Sequence, residues 1–173
     1  MQKLVKVFGK PGQTLWQRAH GIDITPVIPY EEAEEISRKK VFQNDTIDMG
    51  LLRQQLTAMI MDMAFELRGM RKVTSCIRLS LTYSDSETVD KQSVIAHTAM
   101  DDMLIGKSHL LLDSLYSKRK LIRVIVLKFS KLISGFEQIE MFDVPGERYN
   151  LYQSMDYIRG RFGNDAITLA NLI

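Results

Sequence analysis

Three short runs in this 173-residue chain carry side chains suited to binding or catalysis. From Leu121 the sequence reads LIRVIVLKFSKL, which places Arg123, Lys128 and Ser130 in an apolar, strand-like pattern. Guanidinium, ammonium and hydroxyl donors on such a strand bind phosphate oxygens. From Gln138 it reads QIEMFD. The glutamine amide suits a polar subsite, and Ile139, Met141 and Phe142 suit an apolar pocket on another protein. The run Ser84, Asp85, Ser86, Glu87 offers two carboxylates, but no partnering aspartate accompanies them to hold two metal ions. It lies between two strand-like runs and reads as a turn. His20, His97 and His109 have no ligand spacing, and no Gly-rich loop follows a strand. Cys76, within an apolar strand pattern, reads as a buried thiol. The chemistry in prospect is binding, with no catalytic or metal-ligating residue assigned.

Charge is unevenly placed. Residues 38–131 hold 16 Lys/Arg against 10 Asp/Glu, while residues 1–37 hold 4 against 5 and residues 132–173 hold 3 against 6. A basic middle favours a polyanionic partner, although the same excess also occurs on solvated surfaces. No apolar run approaches the roughly 20 residues that span a bilayer, so no membrane partner is expected. A single cysteine excludes an internal disulfide framework and suits a reducing cytoplasm.

These residues need elements to hold them. Residues 1–30 contain Gly9, Pro11, Gly12, Gly21, Pro26 and Pro29, with a short helical stretch around Leu15, Trp16 and Ala19. The segment is too small for a core of its own, and reads as the end of a preceding domain. Residues 31–36, rich in glutamate, read as a solvated linker. Ser37 to Phe42 reads as a strand, ended by Asn44, Asp45 and Thr46. From Asp48 to Arg68, Leu52, Leu56, Met59, Ile60, Met63 and Leu67 fall on one face of a long helix. Ser75 to Thr82 and Lys91 to His97 form a hairpin, and Thr98 caps a second helix. Leu121 to Ser130 is the last strand, and a helix spans roughly Arg148 to Phe162. The order over residues 37–134 is β-α-β-β-α-β. This predicts an α+β fold of the split βαβ type, a four-stranded sheet with two helices on one face. Residues 135–173 read as a C-terminal extension.

The other face of the sheet must meet solvent or a partner. Alternation turns Ile125, Leu127 and Phe129 toward the helices and Lys128 and Ser130 outward, with Arg123 at a strand end. Arg78, Ser80 and Thr82 share the outward side, Arg38 and Lys40 project from one side of the first strand, and Lys91 and Ser93 are candidates on the hairpin partner. Lys, Arg, Ser and Thr without exposed aromatics fit duplex backbone contacts better than stacking on single-stranded bases. The alternative is that these residues only keep an uncovered sheet soluble.

The run FGKPGQTLWQRAHGIDITPVIP resembles the end of the thumb of bacterial Y-family translesion DNA polymerases of the DinB/UmuC type. SRKKVFQNDTID resembles the first strand and helix start of that family's little finger, IRVIVLKFSKL its last strand, and SMDYIRGRFGNDAI its C-terminal segment. The resemblance implies a little finger that holds both backbones of duplex or primer-template DNA in the major groove. Arg38, Lys40, Arg123, Lys128 and Ser130 match its basic and hydroxyl positions. Val124 departs, since some members carry arginine there. Gln138, Ile139, Met141 and Phe142 resemble the peptide that bacterial replication proteins insert into the sliding clamp. The family's catalytic carboxylates and Mg2+ ions belong to a palm domain, so this chain alone is expected to lack polymerase activity and to need no cofactor. A ferredoxin-like regulatory or dimerisation module with no nucleic-acid role is the competing expectation.

Overall fold

A computed structural model describes residues 2–23, 25–26, 34–116, 120–135 and 145–168. The peptide Gln138 to Phe142 lies outside the described residues. The chain divides into two units, Met1–Glu32 and Ala33–Ile173.

In the first unit, helix α1 spans Gln2–Phe8 and α2 spans Lys10–Ala19. Sequence suggested one short helix, because Gly9, Pro11 and Gly12 read as breakers. They make a tight corner instead. Gly9 turns at φ 61°, and Pro11 sits in the first turn of α2, where its missing N–H costs nothing. Gly12 packs against α1 so closely that a Cβ would lie 2.3 Å from the Leu4 carbonyl oxygen.

The second unit begins with strand β1, Glu35–Thr46, inside the stretch expected to be linker. Ile36 holds it there, buried and paired with Phe129. Helix α3 follows at Met49–Gly69, capped by Asp48, whose carboxylate accepts from the Gly50 and Leu51 amides. Strands β2, Lys72–Tyr83, and β3, Thr88–Thr98, make the expected hairpin. Helix α4 spans Asp101–Leu115 and β4 spans Ile122–Ser130. A two-residue strand β5, Ile133–Ser134, pairs with Lys72 and Val73 at the start of β2.

The four main strands lie in the order β1-β4-β2-β3, each pair antiparallel. Each crossover through a helix therefore skips one strand: β4 lies between β1 and β2, and β2 lies between β3 and β4. The core lies between the sheet and α3 and α4. Leu52, Leu56, Ile60, Met63 and Leu67 of α3 and Leu104 and Leu112 of α4 meet Ile77, Leu79, Leu81, Ile125, Leu127 and Phe129 of the two central strands. Each of these side chains is buried and contributes about 1.5–3 kcal/mol. The α+β split arrangement expected from the element order is what forms.

Helix α5, Pro145–Phe162, is fastened to this unit by Arg68 at the end of α3. The guanidinium donates to both oxygens of Asp156 at 2.6 and 2.9 Å, to Asp101 at 2.6 Å and to the Ala99 carbonyl at 2.6 Å. The Tyr152 ring lies 5.1 Å away. Burial opposes the Arg68 charge, but its bonds to Asp156 and Asp101 outweigh that and raise its pKa. Burial raises the Asp101 carboxyl, with Arg68 opposing, and pushes the Tyr152 phenol up to about 12.

Candidate nucleic-acid interface

The strand register resolves which side chains stand on the uncovered face. Residues paired across antiparallel strands share a face. Reading across β1, β4, β2 and β3 gives four rows. At one end of the sheet Glu35, Ser130, Cys76 and Val94 stand together, followed by Ser37, Lys128, Arg78 and Gln92. The next row is Lys39, Val126, Ser80 and Asp90, and the last is Val41, Val124, Thr82 and Thr88.

The two middle rows hold three cations, Lys39, Lys128 and Arg78. Lys128 bonds Glu35 at 2.7 Å; Arg78 bonds Gln92 at 2.7 Å and lies 3.9 Å from Asp90. Lys39 has no ion-pair partner among the described residues. Ser37, Ser80, Thr82 and Thr88 add hydroxyls, and Thr82 and Thr88 bond one another at 3.0 Å. Exposed ion pairs of this kind are worth at most about 1 kcal/mol, so an incoming anion can displace their carboxylates. The face also carries Val41, Val94, Val124 and Val126, and none of its side chains is aromatic. Cys76 is buried at its end.

Lys128, Ser130, Arg78, Ser80 and Thr82 stand on this face, as alternation predicts. Four other candidates do not. Arg38 and Lys40 pair with Leu127 and Ile125, on the side that the helices cover, and Arg38 bonds Glu66 of α3. Lys91 and Ser93 pair with Leu79 and Ile77, again on the covered side. The physical reason is the position of β1 and β3 at the sheet edges. The helices cover the central strands, so covered-side positions at the edges remain wet and tolerate polar residues. Both alternating sets of an edge strand then look polar, and composition does not distinguish them. Lys39 was missed for this reason. The usable signal was Ile36 and Phe42, whose common parity turns 36, 38, 40 and 42 inward.

Arg123 occupies an irregularity. Ile122 pairs with Tyr83 and Val124 with Thr82, leaving Arg123 as the extra residue of a bulge. There it binds Asp45 at 3.0 and 3.2 Å, which raises its pKa. It lies at the end of β4, and the register assigns it to neither face.

The carboxylates of the β2–β3 turn were a candidate for nothing more than a turn, and their geometry accords with that. Lys120 donates to Asp85 at 2.5 Å and to Glu87 at 2.7 Å, and Ser86 turns at φ 67°. The two bonds hold the Lys120 ammonium well above its ordinary pKa, and the Lys120 bond, with the Glu87 amide second, lowers that of Asp85. With a cation already between them, these carboxylates do not fit a metal centre. Among the described residues no group of His, Cys, Asp or Glu could hold a metal ion, and no helix is long and apolar enough to cross a membrane.

Comparison with known proteins accords with this architecture. The DNA polymerase IV of Alkaliphilus oremlandii (strain OhILAs) is 31% identical, over 97% of this chain and 46% of its own length. The DNA polymerase IV of Clostridium kluyveri is 23% identical, over 98% of this chain and 46% of its own. The chain thus spans about half the length of the curated relatives it matches. Among solved structures, the fold is similar to a Y-family DNA polymerase chimera at TM-score 0.54 and 20% identity, over 78% of this chain and 39% of that one. It is also similar to DinB from Sulfolobus solfataricus at TM-score 0.51 and 19% identity, with the same coverage. Residues 33–141 match the model of the impB/mucB/samB family C-terminal domain. On that match the chain belongs to this family, and it is a C-terminal region of the Y-family polymerase type that its sequence resembles.

Proposed function

We propose that the open face of the sheet grips duplex DNA by its backbone, independent of sequence, within a longer Y-family translesion polymerase. The observation that carries this reading is the cluster of Lys39, Lys128 and Arg78 in two adjacent rows, with Ser37 and Ser80 beside them. Ammonium and guanidinium groups neutralise phosphates, and hydroxyls donate to the remaining oxygens. Val41, Val124 and Val126 present no donors to base edges, so the face holds the duplex without reading it. Arg123 reaches the same backbone from the end of β4 once Asp45 releases it. Family membership and the absence of aromatics from the face support this reading over one of base stacking.

Catalysis is assigned elsewhere in the polymerase. Templated synthesis uses carboxylates that hold two Mg2+ ions, which activate the attacking and departing oxygens. This chain's part is to hold the duplex in register with that centre. Residues 1–30 are read as the end of the thumb, residues 37–134 as the little finger, and the cytoplasm as the place of action.

Gln138, Ile139, Met141 and Phe142 are read as a sliding-clamp peptide. Replacing Gln138 and Phe142 together with alanine should abolish binding to purified clamp, and retained binding would refute the assignment. For the DNA reading, the test is fluorescence anisotropy with labelled blunt duplexes of unrelated sequence. All should bind alike, with affinity falling steeply as salt rises. No binding at low salt, together with a dimeric mass in solution, would instead support a self-associating module.

A further inference from the structure

Beside the sheet, α5 and the corner between α3 and β2 enclose a cleft of about 670 Å³. Arg68, Arg71 and Lys72 line one wall, and Tyr152, Asp156 and Tyr157 of α5 line the other. We propose that this cleft holds a single-stranded stretch of nucleic acid, with a base against Tyr157 and a phosphate at Arg71.

The engagement of each cation decides which is available. Arg68 is taken up by Asp101 and Asp156. Arg71 is exposed and has no ion pair among the described residues. Its backbone is fixed in the left-handed region at φ 55°, with its carbonyl accepting from Gly135 N–H at 3.1 Å. A guanidinium with no ion pair among the described residues therefore stands on a defined backbone. Across the cleft, Tyr157 is 67% exposed, and its hydroxyl lies 3.5 Å from Arg161. Arg161 in turn lies 5.4 Å from the Phe162 ring. Cations interleaved with exposed aromatics suit single strands, because every base has a face to stack and every nucleotide a phosphate. An acidic peptide would use the cations and leave Tyr157 without a partner.

The open face offers no aromatic, so the two surfaces divide the chemistry into backbone grip and base stacking. They are also connected. Strand β2 begins at Lys72 in the cleft and reaches Arg78 on the open face, six residues on, about 20 Å at roughly 3.3 Å per residue. The inference rests on the open-face reading for this route alone.

The test uses the whole chain, a short labelled oligothymidylate and a blunt duplex. Tyr157→Ala and Arg71→Ala should each weaken oligothymidylate binding about fivefold or more, and leave the duplex affinity unchanged. Both positions are exposed, and equal thermal melting of variants and parent would establish intact folding. Lys128→Ala should weaken the duplex alone. If Lys128→Ala leaves duplex binding intact while the cleft variants behave as stated, the open-face reading fails and the cleft stands. An oligothymidylate that does not bind, or that binds both cleft variants as well as the parent, overturns the cleft. Displacement by polyglutamate as effective as by unlabelled oligothymidylate would also overturn it, in favour of an acidic-peptide site.

Discussion

Arg68 carries its charge into a place where Asp101 is almost wholly screened from water. Removing the guanidinium leaves that carboxylate buried and unpaired and releases Asp156 of α5. Arg68→Ala should therefore cost about 3–5 kcal/mol in urea denaturation, and amide exchange should accelerate first along α5. A loss below 1 kcal/mol would show that the ion pairs are incidental. His109 illustrates a different control. Its Nε2 lies 3.0 Å from the buried hydroxyl of Thr57, which itself donates to the Arg53 carbonyl, so the imidazole N–H is the donor between them. Burial first, and the neighbouring Arg53 charge second, hold its pKa below 6.5. The unfolded chain then binds the proton more readily, so stability should be full above pH 6.5 and fall as pH drops toward the lowered native value. His109→Gln should flatten that part of the profile; an unchanged slope would contradict the assignment. None of these partnerships was readable in sequence. Arg68 and Asp156 are 88 residues apart, and no local pattern announces such a pair.

At the scale of elements, the sequence was most legible where burial is one-sided and continuous. The apolar steps from Leu52 to Leu67 describe α3 because a single face of it meets the sheet. The alternation from Ser75 to Thr82 describes β2 for the same reason. Legibility failed at edges and corners. The two sides of β1 are nearly equal in polarity, so composition places Arg38 and Lys40 on one side without showing that it is the covered one, and does not single out Lys39. Strand β5 has two residues and no pattern to display. The α1–α2 corner was hidden because Gly12 serves for close packing, whereas glycine beside proline ordinarily signals a loop. Gly12→Ala should strain that corner by about 1–3 kcal/mol, as overpacking does, and speed amide exchange over residues 2–19. Exchange equal to the parent's would show that α1 gives way without cost.

For the whole molecule, a sheet with helices on one side leaves its other side to solvent or a partner. The element order made that architecture legible, and the resemblance suggested DNA as the partner to propose. Neither gave the register that decides which cations face it. On the proposed reading Lys39 and Lys128, on the open face, meet DNA phosphates, while Lys40 and Lys91, on the covered side of edge strands, do not. Anisotropy of a blunt duplex across a salt series, compared between the two double alanine variants, tests this directly. Replacing Lys39 and Lys128 should lower the salt slope by roughly two units, about one per phosphate contact, and replacing Lys40 and Lys91 should leave it as in the parent. Equal effects of the two pairs, or a loss confined to Lys40 and Lys91, would contradict it.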